Sequence, residues 1–392
     1  MELIRELCSI EGRGPGTDAE RRAANMLAER IRRMGRRAEL EPTFVHPQYA
    51  LVFALHAAVA VAGSLAATAE PAIGFALVLL AAASAYLDLN TRFYLLRSLF
   101  FRRASQNVVS PGGRPDAPGR LILVAHYDAA RTGFVFSRGT KLAKRLSERG
   151  RLALGPFRIF FWGGLVPLLP IIGAQMAGAD AQWLSALQAI PTILLIVSVF
   201  LMIDIALSAI VPGAYDNASG VAAVLSAAEE LGSDPLENLD VWVLLAGSEE
   251  SLCEGMRSFV RDHRDELDKE RTIFLNVDSV SHGEVTYEVS EGPVVSYPLD
   301  PQLVELAEAL GEDPRFDARP LRYPLLDDAL PAQLRGFRAI TIRTTEDGLP
   351  APWYHTEADT PDRVDAAALT RATAFVVGLS RLVDRDLGRR PA

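Results

Sequence analysis

Four long apolar blocks interrupt an otherwise charged chain. They cover roughly 49–68, 71–87, 159–178 and 184–211. Each is near the ~20 residues that a helix needs to cross a lipid core of about 30 Å. The apolar residues run all round each predicted helix rather than along one face, and the blocks come as two tight pairs. Buried helices of a soluble domain are the alternative, but the pattern favours two transmembrane hairpins, at 49–87 and 159–211.

Basic residues indicate how these hairpins are oriented. The short loop inside each pair contains no Lys or Arg, whereas cations cluster before the first span, after the second (among them Arg97) and ahead of the third. Because positive residues concentrate on the cytoplasmic side, both hairpin tips are expected outside. The hydrophilic pieces 1–48, 88–158 and 212–392 then meet in the cytoplasm and fold as one domain. The stretch 93–101 fits an interfacial helix on anionic lipid or an ordinary linker helix.

The hydrophilic pieces alternate two kinds of segment. Short apolar runs, partly β-branched, predict buried strands at 121–125, 241–246, 273–277 and 339–342. Amphipathic patterns predict helices at 219–232, 254–267, 301–311 and 366–384. A capping box at Thr17 and Glu20 opens a further helix. This alternation predicts an α/β fold, a three-layer α/β/α domain with a mixed sheet, into which the four transmembrane helices are inserted.

Composition narrows the classes of function. The formal charge of −9 argues against nucleic-acid binding, which needs clustered cations. The chain has only two cysteines, so no disulfide framework is implied. The N-terminal residues are charged and lack the apolar stretch of an export signal.

Polar residues of the kinds that bind metals follow several predicted strands, where ligands gather in open α/β sheets. These positions are His126, Asp128, Glu249, Glu250 and Asp278, while Asp216 opens a predicted helix and His355 lies in a loop after the last strand. Taken singly, each is more commonly a cap, a turn or a surface residue. As an ordered set, two imidazoles and several carboxylates are ligands that suit a pair of zinc ions.

The ordered motifs His-x-Asp, Asp-Asn-x-x-Gly, Glu-Glu, Asp and Tyr-His-Thr resemble those of the M28 family of zinc aminopeptidases. The resemblance covers the hydrophilic pieces and excludes the hairpins. It implies two zinc ions per chain. His126 and Asp278 would hold one zinc and Glu250 and His355 the other, with Asp216 bridging the two.

The resemblance also implies the catalytic roles. Glu249 would be the general base that takes a proton from a water activated by the metals, and the resulting hydroxide would attack a peptide carbonyl. Asp128 would orient the His126 imidazole, a partner that metal-bound histidines usually need. A cis peptide is expected between Asp216 and Asn217.

Two features depart from the family's pattern. About 90 residues separate His126 from Asp216, because the second hairpin lies between them, so the site is expected near the membrane surface with 131–151 over its entrance. The first glycine expected after the glutamate pair is replaced by Leu252, which leaves the shape of the adjacent specificity pocket open. Two neighbours of His355 have weaker assignments: Tyr354 is a packing aromatic or an oxyanion donor, and Asp359 braces the loop.

The sequence therefore predicts a membrane-anchored zinc aminopeptidase that removes N-terminal residues from peptides. Its expected partners are a peptide substrate and the lipid bilayer, and the four spans offer helix-packing surfaces compatible with a homodimer. Three alternatives stay open: a catalytically silent scaffold, a single-zinc acyltransferase that cyclises N-terminal glutamine, and a transporter. Transport is disfavoured because only His56 lies well inside a span, where a helix–helix hydrogen bond is its expected role.

Overall fold

One mixed β-sheet organises the chain. The computed structural model describes residues 1–139, 155–179 and 182–389. The sheet has nine strands in the order β1-β2-β4-β3-β5-β9-β6-β7, with β8 paired to β6. In chain order the strands are β1 (Glu39–Val45), β2 (Arg103–Ser110), β3 (Gly119–His126), β4 (Leu239–Ala246), β5 (Thr272–Val277), β6 (Glu284–Glu291), β7 (Tyr297–Pro298), β8 (Arg319–Arg322) and β9 (Arg338–Thr345).

The four strands predicted from the sequence form the parallel centre of this sheet. Strands β4, β3, β5 and β9 are successive neighbours and run parallel. β5 is buried along its whole length, and β3 and β9 nearly so, as strands covered on both faces are. Antiparallel pairs of β1 with β2 and of β6 with β9 flank the centre, so the sheet is mixed, as predicted. The carboxyl ends of the four parallel strands therefore lie along one edge.

Helices cover both faces of the sheet. In the described residues they are α1 (Glu2–Cys8), α2 (Asp18–Arg33), α3 (Tyr49–Ala66), α4 (Pro71–Leu89), α5 (Pro156–Met176), α6 (Gln182–Leu207), α7 (Ser219–Ser233), α8 (Glu254–Asp262), α9 (Pro301–Gly311), α10 (Ala329–Gln333) and α11 (Ala366–Gly388). Side-chain caps begin three of them. Thr17 accepts from the Glu20 amide before α2, and Asp300 and Asp365 each accept from two amides at the start of α9 and α11.

Alternate residues of the central strands point into two separate apolar cores. Leu121 and Leu123 of β3 pack with α1, α2, α7, α9 and α11 on one face of the sheet. Ile122 and Val124 pack on the other face with α8, α10 and the apolar helices α3, α4 and α5. This two-fold alternation gives the three layers that the sequence predicts.

One predicted helix is shorter than expected. The pattern over 254–267 predicts a longer helix, but α8 ends at Asp262. There the backbone of His263 leaves the helical conformation, and its ring lies 3.0 Å from the carboxylate of Glu41 on β1. A tertiary contact thus sets this helix end, which local periodicity does not reveal.

The four apolar blocks form one helical bundle. Helices α3, α4, α5 and α6 pack against one another, and the few polar groups between them bond across helices. His56 of α3 hydrogen-bonds Ser84 of α4 at 2.8 Å, and Ser64 of α3 lies 2.7 Å from Thr192 of α6. His56 therefore has the interhelical role expected of it.

The outer face of this bundle is apolar and exposed. Large side chains of α6 face outward, among them Ile190, Phe200 and Leu207 with exposed fractions of 66%, 69% and 80%. By length and composition alone, five described helices could cross a membrane: the four of the bundle and α11. Unlike the bundle, α11 buries Phe375 and Leu379 in the core on the opposite face of the sheet.

The segment after the first hairpin differs from both predictions made for it. Neither an interfacial helix nor a linker helix extends over 93–101, where a single 3₁₀ turn covers Leu96–Leu99. Arg97 belongs to the predicted cluster of cytoplasmic cations, and its side chain is fully buried and pairs with Asp88 at 2.9 Å. A buried carboxylate at the end of α4 draws the arginine inward, because an unpaired charge there would be costly.

Candidate metal centre

The seven predicted site residues converge at the carboxyl edge of the parallel strands. His126 is the last residue of β3, the Glu249–Ser251 3₁₀ turn follows β4, and Asp278 follows β5 directly. Asp216 lies in the loop before α7, and His355 lies in the loop after β9. The edge is where chains with this topology place functional groups.

Asp216 lies between the two imidazoles. Its Oδ1 is 3.1 Å from Nε2 of His126, and its Oδ2 is 2.8 Å from Nε2 of His355. Nε2 of His126 is also 3.8 Å from Oδ1 of Asp278, and Nε2 of His355 is 3.4 Å from Oε1 of Glu250. The five side chains thus form two groups that share one carboxylate.

The loop that carries Asp216 is fixed from several directions. Asp359 accepts hydrogen bonds from the backbone amides of Tyr215 (2.7 Å) and Asp216 (3.1 Å), which is the bracing role expected for it. Asn217 donates to the carbonyl of Val277 at the end of β5. The Asp216–Asn217 peptide is cis, as the resemblance implied. These bonds place Asp216 independently of any ligand.

Asp128 supports the glutamate pair as well as the histidine. Its two oxygens accept from the amides of Glu249 and Glu250, both at 3.0 Å, and Oδ1 lies 3.6 Å from Nδ1 of His126. A single buried carboxylate therefore links the end of β3 to the turn after β4. Asp128 lies where it can orient the imidazole and the turn together.

A buried arginine holds the third carboxylate of the site. Arg343, on β9, lies 3.1 Å from Asp278, 2.9 Å from Glu288 and 2.5 Å from Asp327. All four side chains are at most 6% exposed. The arginine thus fixes Asp278 and offsets the charge of the acidic residues behind it.

Replacing Arg343 with methionine should lower the free energy of unfolding by about 3–5 kcal/mol, the usual cost of leaving buried charges without their partner. Three carboxylates would then face one another without a cation. Chemical denaturation of the purified protein measures the loss. Arg315→Met is the control, because Arg315 pairs with Asp313 on the surface, where solvent screens the pair, and should change the free energy of unfolding far less. Equal effects of the two changes would contradict this account of Arg343.

The electrostatics of the site favour added positive charge. Burial alone would lower the pKa of His355, but the carboxylates of Glu250 and Asp216 outweigh it and raise that pKa to about 10. The pKa of His126 is also well above its usual value, since nearby carboxylates, Glu249 first, outweigh burial. Burial and then Glu250 raise the pKa of Glu249 well above its usual range. Without a cation, the cluster takes up protons instead.

These residues fit zinc. With Zn–N and Zn–O bonds of 2.0–2.2 Å, two donors of one tetrahedral ion lie about 3.3 Å apart, and the separations of 2.8–3.8 Å within each group are close to that value. Oε1 of Glu250 is buried and has no hydrogen-bond partner among the described residues. A carboxylate oxygen in that position is available to a metal.

Sequence reasoning assigned only a helix cap to Glu20, yet its side chain reaches the site. Its Oε1 accepts from the hydroxyls of Ser248 (2.7 Å) and Ser105 (3.0 Å), and its Oε2 from the amide of Gly16. Burial, and then the neighbouring Asp128 carboxylate, raise the pKa of Glu20 to about 8. Arg343 also went unnoticed, although a charged residue inside an apolar strand is a usable signal of a buried ion pair.

Aromatic rings form one wall of the site. Tyr354 stacks on His355 with ring centroids 3.9 Å apart, which fits its packing assignment. The ring of Phe136, in the π-helical turn Val135–Gly139, meets the His355 ring edge-on at 4.6 Å. The segment 131–151 was expected over the entrance. Its first part does contact the site, and 140–151 lies outside the described residues.

Comparisons with known proteins agree with this geometry. Residues 202–380 match the model of peptidase family M28. That range contains five of the seven site residues, while His126 and Asp128 precede it. No curated protein matches the sequence.

Solved structures show the same fold over nearly the whole chain. BSAP, a zinc aminopeptidase from Bacillus subtilis, is 14% identical with a TM-score of 0.55, over 97% of this chain and 93% of that one. A glutaminyl cyclase from Bacteroides thetaiotaomicron has the same identity and TM-score, over 97% and 95%. A Zn-dependent exopeptidase from Parabacteroides distasonis is 14% identical with a TM-score of 0.53, over 99% and 96%. Residues 202–380 are thus similar in sequence to peptidase family M28, and the chain shares the fold of these solved structures.

Proposed function

We propose that this protein is a membrane-anchored aminopeptidase with two zinc ions per chain. One observation carries the proposal: a single carboxylate, Asp216, lies between two imidazoles, each with a further carboxylate beside it. Two metals sharing a carboxylate suit hydrolysis, because they act on the water and on the carbonyl at once. His126 and Asp278 would hold one zinc, Glu250 and His355 the other, and Asp216 both.

The chain's own residues supply the proton transfers. When bound, the zinc ions lower the pKa of a water molecule and polarise the substrate carbonyl. Glu249, whose Oε2 is 4.0 Å from Nε2 of His126, is placed to accept the proton of the attacking water and pass it to the leaving amine. Asp128 keeps Glu249 in place through the backbone of the turn. Phe136 and Tyr354 keep bulk water away from His355.

The membrane part of the proposal is supported by the outer face of the bundle. Monomeric soluble proteins rarely expose a continuous apolar surface of this kind, and lipid would cover it. The absence of Lys and Arg from the loop 67–70 favours a cytoplasmic site. The same exposed face of the bundle would also suit packing against a second copy of the chain, which would give a homodimer.

A single-zinc glutaminyl cyclase is the second candidate. A solved glutaminyl cyclase has the same TM-score to this chain as the zinc aminopeptidase BSAP, so the fold does not separate the two reactions. The number of zinc ions does. Zinc bound by both groups of ligands would mark the two-zinc enzyme, and zinc bound by one group alone would mark the cyclase.

The proposed function is tested on detergent-purified full-length protein. We expect about two zinc ions per chain, and hydrolysis of aminoacyl-p-nitroanilides that a chelator abolishes and added zinc restores. One zinc with cyclisation of glutaminyl peptides would support the cyclase instead. Two zincs without turnover of any substrate in the panel would contradict the peptidase and favour the scaffold.

Orientation is tested in the same protein by single cysteines. Ala69→Cys at the tip of the first hairpin should react with an impermeant maleimide in intact cells, and Ala309→Cys on α9 should react only after lysis. Both positions are exposed. Labelling of the second cysteine in intact cells would place the site on the other side of the membrane.

A further inference from the structure

Both ends of the first apolar hairpin meet the turn that carries Glu249 and Glu250. Asp88 lies in the last turn of α4, and His46 lies just before α3 begins. We propose that Arg97 is a positioning residue for the hydrolytic site, because it joins the end of this hairpin to the backbone of Ser251. The proposal rests on the function proposed above and gives the hairpin a second role besides anchoring.

Arg97 has several partners in the described residues, although its Nη2 has no hydrogen-bond partner among them. It is fully buried, and its Nε lies 2.9 and 3.0 Å from the two oxygens of Asp88. Its Nη1 donates to the carbonyl of Ser251 at 3.0 Å and lies 4.0 Å from Glu254. The ring of Tyr94 packs against the guanidinium, 4.9 Å from ring centre to Cζ. Planar, multiple donors let one arginine hold a helix end and a turn at once.

The other end of the hairpin contacts the same turn through Glu254. This carboxylate accepts a hydrogen bond from the amide of His46 and lies 3.0 Å from the ring Nδ1 of that residue. The hydroxyl of Ser251 donates to the carbonyl of Ser248 and lies 3.2 Å from Glu254. The start and the end of the hairpin thus converge on residues 251–254.

This turn needs external support because its backbone is strained. Ser248, Leu252 and Cys253 have φ values of 55°, 72° and 56°, in the left-handed region that side chains other than glycine rarely adopt. Such conformations persist only where surrounding contacts enforce them. Asp128 holds the first half of the turn through two amides, and Arg97 holds the second half through Ser251. Loss of Arg97 removes the bond to the Ser251 carbonyl and leaves the second half of the turn held only through Glu254.

The test is Arg97→Lys in the full-length protein. Lysine keeps the charge and the pairing with Asp88, but a single ammonium group cannot also hold Ser251. We expect kcat to fall by about 10- to 100-fold with KM changed by less than about 3-fold, because the reacting groups are displaced while the binding surface is retained. Zinc content at saturating zinc should stay at the wild-type value. Amide hydrogen exchange should rise over 249–254.

Two controls separate positioning from stability. Arg338→Lys weakens a largely buried pair with Asp300 at the amino end of β9, away from the site, and should leave kcat per folded chain unchanged. The exchanged pair Asp88→Arg with Arg97→Asp restores the ion pair and should restore the thermal midpoint, but not kcat, because the arginine no longer lies at Ser251. Recovery of kcat in the exchanged pair would overturn the proposal.

Wild-type turnover separates this proposal from the proposed function. If the wild type hydrolyses no aminoacyl-p-nitroanilide, the proposed function is contradicted, but the positioning role of Arg97 is not. Positioning is then read from zinc titration, in which Arg97→Lys should weaken the site that Glu250 would occupy while leaving the other unchanged. Unaltered zinc binding together with unaltered hydrogen exchange would overturn the role of Arg97.

Discussion

Replacing Asp216 with alanine should remove both zinc ions and with them all measurable hydrolysis. The carboxylate is within 3.1 Å of both imidazoles, so its loss takes one ligand from each metal and leaves two ligands for each. Loss of a residue that only hydrogen-bonds a metal ligand lowers metal affinity by about 10- to 100-fold, and loss of a shared ligand should lower it further. Metal analysis after gel filtration, with aminoacyl-p-nitroanilide turnover on the same sample, measures both effects.

The exposed Asp116 provides the control for that experiment. Asp116→Ala removes the same carboxylate from a surface loop and should leave zinc and turnover at wild-type values. Retention of one zinc by Asp216→Ala with partial activity would show that Asp216 belongs to a single metal. That result would contradict the assignment of Asp216 as the ligand shared by both zinc ions.

Replacing Glu249 with glutamine should give the opposite combination: zinc retained and catalysis lost. A general base contributes about 10²- to 10⁴-fold to the rate, so kcat should fall by that factor while KM changes little. Zinc should remain at two per chain, because Glu249 is not a ligand and all five proposed zinc ligands are unchanged. Glutamine keeps the size of the side chain, and the hydrogen bond from the backbone amide of residue 249 to Asp128 stays in place.

Glu229→Gln is the matched control. It makes the same chemical change at an exposed position on α7, away from the site. If Glu249→Gln lost zinc in parallel with activity, Glu249 would be a ligand rather than the base. If it retained more than a tenth of wild-type kcat, another group would be accepting the proton.

The sequence predicted the parallel centre of the sheet because those strands are continuous apolar runs. The same runs fix where the ligands lie, since residues that follow parallel strands meet at one edge. Thus His126, Glu250 and Asp278 were brought together by rules that need no tertiary information. Asp216 and His355, both in loops, were placed by the resemblance to M28 sequences.

The remaining features depend on contacts that local patterns do not contain. Strands β1 and β2 lie on either side of the first hairpin, and they pair only because distant segments meet. Glu20 has the sequence signature of a helix cap, and its bonds to Ser105 and Ser248 follow from the packing of α2 against the sheet. Arg97 has the sequence context of a surface cation, and only the position of Asp88 draws it inside.

The pairing of β1 with β2 has a consequence for biosynthesis. Val45 of β1 is opposite Arg103 of β2, so the two strands can join only after the whole α3–α4 hairpin has been made and placed. His355, one of the proposed ligands, is synthesised only after all four parallel strands of the sheet. In the proposed enzyme, a nascent chain would therefore insert its first hairpin early and yet hold no complete hydrolytic centre until His355 has been made, which would protect neighbouring nascent peptides from premature cleavage.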